Sequence, residues 1–80
     1  MSRIAIVGAG YVGLPLAQVF AEGGNEVLLI DVERRIVDGI NRGESHIEDV
    51  PSEALAPLVE QGLVRASSRP PQAVGSPYRY

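Results

Sequence analysis

The stretch Arg3-Ile4-Ala5-Ile6-Val7-Gly8-Ala9-Gly10-Tyr11-Val12-Gly13 decides the fold of this chain. Its first five residues form an apolar run rich in Ile and Val, the pattern of a parallel strand covered on both faces. Glycines 8, 10 and 13 then turn the chain into a helical pattern, and Asp31 ends the next apolar run. Each glycine in this G-x-G-x-x-G spacing has its own task. Gly8 permits the tight turn out of the strand. Gly10 has no Cβ, so a pyrophosphate can approach the main chain. Gly13 lets the helix pack against the strand it has just left. A pyrophosphate there meets unspent backbone N–H groups and the positive end of the helix dipole. A strand before the glycines, a helix after them and an acid about 20 residues on complete a dinucleotide-binding fingerprint.

Working outward, Val12, Leu16, Val19 and Phe20 recur at helical spacing up to Glu22, and Gly23-Gly24-Asn25 stops that helix. Pro15 falls in its first turn, where a missing N–H costs little. Glu26 to Asp31 reads as a second strand with Val27-Leu28-Leu29-Ile30 at its centre, giving a βαβ unit. A second helix places Ile36, Val37 and Ile40 inward and ends at Asn41-Arg42-Gly43. Glu44 to Pro51 reads as a polar loop. Ser52 reads as the N-cap of a short helix with Leu55, Leu58 and Val59 on its apolar side. Gly62 ends it, and Leu63 to Ala66 forms a third strand. The fold class is α/β, a partial Rossmann fold comprising the first βαβ half, with its three-layer architecture incomplete. Residues 1–68 form this part of the domain. Residues 69–80, rich in Pro, Ser and Gly, read as a disordered tail.

Composition narrows the function. Eighty residues make one small domain, where a dinucleotide-binding domain normally takes about 150. A net charge of −3 with no basic cluster argues against a nucleic-acid partner. No apolar run is long enough to span a membrane, and no leader precedes the first strand, so a cytoplasmic location is expected. The chain has no cysteine, hence no disulfide, no thiolate metal site and no thiol nucleophile.

Asp31, at the carboxyl end of the second strand, can accept hydrogen bonds from both adenosine ribose hydroxyls and repels a 2′-phosphate. Glu33 adds to that repulsion, so NAD is the expected cofactor. Arg34 and Arg35 cut the other way, as arginines able to receive a 2′-phosphate or simply as a solvated helix start. NADP and FAD therefore stay open as alternatives. His46 lacks an acidic or serine partner at a recognisable spacing and reads as an ordinary loop residue; adjacent Glu48 and Asp49 read as solvated. No catalytic or metal-ligating residue is assigned.

The string Gly8-Ala9-Gly10-Tyr11-Val12-Gly13-Leu14-Pro15-Leu16-Ala17 resembles the opening motif of the UDP-glucose/GDP-mannose dehydrogenase family. Asn41-Arg42-Gly43-Glu44-Ser45-His46-Ile47-Glu48-Asp49-Val50-Pro51-Ser52 is most similar to members that oxidise UDP-N-acetylhexosamines or UDP-glucose. The resemblance covers Arg3 to about Ser68. It implies NAD-dependent oxidation of a UDP-sugar C6 alcohol to a carboxylate through a cysteine thioester, in the service of polysaccharide biosynthesis. It also implies cofactor contacts at Gly8, Gly10, Tyr11, Val12, Gly13 and Asp31. Where many members carry a basic residue five positions after the aspartate, this chain has Ile36, and Arg35 stands next to it. The family's catalytic Cys, Lys, Asn and Glu correspond to positions beyond this sequence, so the chain alone is expected to be inactive. Two other readings stand beside this one: a non-catalytic dinucleotide-binding module, and a nonfunctional product of a truncated gene. In the expected strand order 3-2-1-4 the first strand would lack its outer neighbour, which makes it a candidate surface for self-association.

Overall fold

The computed structural model describes residues 2–69; the expected tail beyond Arg69 lies outside them. Six elements follow in order: β1 (Arg3–Val7), α1 (Gly13–Glu22), β2 (Glu26–Ile30), α2 (Arg34–Asn41), α3 (Ser52–Glu60) and β3 (Val64–Ser67). The three strands are parallel, in the spatial order β1-β2-β3. This is the open α/β sheet anticipated from the alternation of apolar runs and helical stripes. β3 lies one residue later than its sequence pattern suggested, so that Ser67, assigned to the start of the irregular stretch, is still paired with Ile30.

Parallel pairing opposes Ile6 to Leu29 and Leu29 to Ala66, and Val27 to Val64, so these side chains share one face. The main core forms there. Leu14, Ala17 and Ala21 of α1, Val37 and Ile40 of α2, and Leu55 and Leu58 of α3 bury themselves with Val27, Leu29, Val64 and Ala66. All three helices therefore cover the same face. Ala5, Leu28 and Ile30 make a smaller cluster on the other.

Four expectations need correction. The buried stripe of α1 is Gly13, Leu14, Ala17 and Ala21, one helical position round from the anticipated one. Val12, Leu16 and Val19 are exposed instead, Val12 by 79%. Both stripes have the same period; the one with small residues wins because it lets the helix axis come close to the sheet. β1 is not covered on both faces either: only Ala5 is buried, and Val7 is 65% exposed. Among the described residues it is an edge strand, with a neighbour on one side alone.

The third correction concerns Ser52, which is the first residue of α3 rather than its cap. Pro51, in an extended conformation, takes the N-cap position without a side-chain bond. The Ser52 hydroxyl oxygen instead accepts the Ser45 N–H at 3.0 Å, fastening the α2–α3 loop. Finally, that loop is not merely polar. Ile47 and Val50 are buried in the main core, and the Ser45 hydroxyl donates to the Ile47 carbonyl at 2.9 Å. Gly43 makes the turn into this loop with φ 80°. A Cβ on it would stand 3.0 Å from Ala56, so the left-handed turn and the close approach of α3 both call for glycine.

Candidate cofactor-binding site

β1 delivers the chain to the glycine turn at the carboxyl edge of the sheet. The Gly8 N–H still donates to the Ile30 carbonyl at 2.7 Å, and then the chain leaves the sheet with Gly8 at φ 95°. An L side chain rarely adopts that conformation, which is why glycine stands there. Five residues later the first turn of α1 returns across the end of β1. A Cβ built on Gly13 would overlap the Gly8 carbonyl oxygen and lie 3.5 Å from Ile6 Cγ2. A Cβ on Gly10 would meet nothing within 4 Å. The two glycines therefore differ in kind: Gly13 is required by the protein's own packing, whereas Gly10 opens onto free space.

Between them lies a set of unspent donors. Leu14 is the first residue whose N–H closes a helical bond, to the Gly10 carbonyl at 3.1 Å. Among the described residues, the N–H groups of Gly10, Tyr11, Val12 and Gly13 have no protein acceptor. Val12 occupies the N-cap position and supplies no capping oxygen. Four successive amides at a helix start, with no side chain competing for them, make a cradle for an anion. Tyr11 and Val12 lie on this turn with side chains about four-fifths exposed (78% and 79%).

Asp31 follows the last residue of β2 and stands beside the turn. Its Oδ2 accepts the Ala9 N–H at 3.0 Å, and its Oδ1 accepts the Glu33 N–H at 3.0 Å. The first bond ties the end of β2 to the glycine turn; the second shapes the entry to α2. A carboxylate offers about four lone-pair sites, so each oxygen keeps one for a further donor. The Glu33 and then the Ala9 amide hold its pKa below the ordinary carboxylate range, with His46 adding a smaller pull, while partial burial opposes them. Asp31 is therefore a charged acceptor at neutral pH. Val7, Gly8, Ile30, Asp31 and Val32 line a hollow of about 280 Å³ at this corner. A neighbouring hollow of about 440 Å³ is bordered by Glu33, Arg35, Ile36 and His46.

The six sequence-derived positions thus gather at one corner, the carboxyl ends of β1 and β2 with the start of α1. Sequence reasoning assigned Asp31 to a ligand alone and missed its structural bonds to Ala9 and Glu33. The available signal was the spacing itself: parallel strands of equal length, paired end to end, bring Asp31 level with the residue after Val7. Arg35 borders the second hollow, whereas His46, read as an ordinary loop residue, lies close enough to influence the Asp31 charge.

This corner has counterparts. Residues 2–76 match the NAD-binding domain of the UDP-glucose/GDP-mannose dehydrogenase family. The chain belongs to that family. Among curated members, the UDP-N-acetyl-D-mannosamine dehydrogenase of Escherichia coli strain K12 is 42% identical over 73 residues, 90% of this chain and 17% of the relative. The NDP-N-acetyl-D-galactosaminuronic acid dehydrogenase of Ralstonia nicotianae is 41% identical over 71 residues, 88% of this chain and again 17% of the relative. Among solved members, the UDP-N-acetyl-mannosamine dehydrogenase of Staphylococcus aureus superposes with a TM-score of 0.81 at 31% identity, over 88% of this chain and 17% of its own. The GDP-mannose dehydrogenase of Pseudomonas aeruginosa gives 0.77 at 34% identity, over 82% and 15%. The chain therefore spans 17% of the length of the curated relatives it matches. It is an NAD-binding-domain segment of a nucleotide-sugar dehydrogenase family, and the family's cofactor is NAD.

Proposed function

We propose that this chain holds the adenosine and pyrophosphate half of NAD for a nucleotide-sugar 6-dehydrogenase. The observation that carries the reading is the joint position of Asp31 and the four unspent amides from Gly10 to Gly13. The amides receive the pyrophosphate, and Gly10 leaves room for it. The free lone pairs of the Asp31 carboxylate accept the two ribose hydroxyls, and its charge disfavours a 2′-phosphate. Tyr11 and Val12 act through their backbone N–H groups. NAD supplies the hydride acceptor when bound. The proposed parent reaction is oxidation of a UDP-sugar C6 alcohol to the uronic acid, in polysaccharide biosynthesis in the cytoplasm. Two relatives named as dehydrogenases of N-acetylated sugar nucleotides support that substrate class. The described residues contain no helix long and apolar enough to cross a membrane.

Calorimetric titration of the chain with NAD and NADP tests the cofactor reading. NAD binding that exceeds NADP binding and weakens in Asp31→Ala is the expected result; equal binding of both overturns it. Self-association through the exposed β1 belongs to the same proposal.

A further inference from the structure

The loop between α2 and α3 runs back along α2 toward the Asp31 corner. The Glu44 N–H donates to the Gly39 carbonyl at 2.8 Å, and a Cβ on Gly39 would stand 3.5 Å from the Glu44 carbonyl oxygen. The loop thus lies close against the helix. It is fastened on both sides of His46. The Ser45 N–H donates to the Ser52 hydroxyl oxygen at 3.0 Å, and Ile47 is buried in the main core. His46 itself is exposed and borders the hollow of about 440 Å³ together with Glu33, Arg35, Ile36 and Glu44. Arg42 lies 3.3 Å from Glu44. The hollow therefore gathers charges of both signs. One member, the imidazole, is of the type whose charge ordinarily changes between pH 5 and 8.

A ribose held by Asp31 points one hydroxyl at this hollow. Oδ2 faces the glycine turn through the Ala9 N–H, and Oδ1 faces the start of α2 through the Glu33 N–H. In adenosine the pyrophosphate hangs from C4′ through C5′, and C3′ is the carbon next to C4′ in the ring. A pyrophosphate on the glycine turn therefore sets the 3′ hydroxyl on the Oδ2 side and the 2′ hydroxyl on the Oδ1 side. A 2′-phosphate would extend past Oδ1 toward Glu33, Arg35 and His46. We propose that His46 is a second determinant of dinucleotide choice: neutral, it leaves the acids of this hollow to repel a 2′-phosphate, and protonated, it joins Arg35 in attracting one. The inference rests on the cofactor reading above and adds a pH dependence to it. The charged groups around His46 are Asp31 at the end of β2, Glu33 and Arg35 at the start of α2, and Glu44 with its partner Arg42. With His46 neutral the acids outnumber the arginines; its protonation balances them.

Calorimetric titration of the full chain with NAD and with NADP, at about pH 8 and about pH 5.5, tests this alongside His46→Gln and His46→Arg. The readout is the ratio of the two affinities, so a loss common to both dinucleotides cancels. A 2′-phosphate gains a proton over the same interval by itself. His46→Gln keeps that contribution and removes the imidazole's. On acidification the preference for NAD should fall about three- to tenfold further in the unaltered chain than in His46→Gln. His46→Arg should lower the preference by a similar factor already at the higher pH. Equal pH shifts in the unaltered chain and His46→Gln, or an unchanged preference in His46→Arg at the higher pH, overturn the proposal. Asp31→Asn separates the failures. A preference that depends on Asp31 but not on His46 removes only the role of His46; binding of neither dinucleotide removes the cofactor reading and this inference together.

Discussion

The Asp31 carboxylate accepts the Ala9 N–H at 3.0 Å, joining the end of β2 to the middle of the glycine turn on β1. The residue proposed to hold the ribose thereby also holds the turn proposed to hold the pyrophosphate. Both parts of the site depend on a single side chain. Asp31→Ala should weaken NAD binding by about 1–3 kcal/mol, through the lost ribose acceptor and the stranded amides. It should also narrow the gap between NAD and NADP. Asp31→Asn separates the two roles, since one amide oxygen can still accept a backbone N–H but the negative charge is gone. Calorimetric titration of both variants with both dinucleotides measures the difference.

The Asp31 pKa is lowered in the folded chain, chiefly by the Glu33 and Ala9 amides. The resulting stabilisation is fully present above the unfolded carboxylate range and is lost as pH falls through the lower, folded value. Stability and NAD affinity should therefore both hold near neutrality and decline in strong acid. Denaturation and titration repeated from neutral pH downward should show Asp31→Asn losing less on acidification than the unaltered chain. Identical acid profiles for the two would place the pH dependence elsewhere.

Gly10 and Gly13 should separate binding from folding. Gly13→Ala forces a Cβ onto the Gly8 carbonyl oxygen, a backbone atom that cannot move without opening the turn. It should cost about 1–3 kcal/mol of stability. Gly10→Ala adds a methyl where nothing lies within 4 Å. It should leave folding within about 1 kcal/mol of the unaltered chain and reduce NAD affinity about tenfold or more, because the methyl occupies the approach to the main chain. Thermal denaturation and NAD titration of both variants check the contrast.

Asn41→Ala should free both backbone groups of Ala66 at the outer edge of β3. The expected loss is about 1–3 kcal/mol of stability, with faster amide exchange at Ala66. Asn41→Asp keeps an acceptor for the Ala66 N–H but offers no donor to its carbonyl, so it should recover only part of the loss.

The sequence by itself determined the order of strands and helices, the parallel sheet and the position of the dinucleotide turn. These follow from local rules: apolar runs of strand length, helical periodicity, and glycines whose spacing has a direct backbone meaning. It also placed Asp31 near that turn, because its distance along the chain is the length of one βαβ unit. Only the tertiary structure decided which face of α1 is buried. Val12, Leu16 and Val19 have the right period and the larger side chains, yet Gly13, Ala17 and Ala21 are inside with Leu14. Periodicity identifies a stripe but not how closely the helix must approach the sheet, and the Gly13 contact with Gly8 sets that distance. Packing likewise drew Ile47 and Val50 of a polar-looking loop into the core and assigned Ser52 to Ser45 instead of to its own helix. Asn41 closes β3 from 25 residues away. Such long-range pairings exist only once the helices have settled on the sheet, so no local pattern announces them.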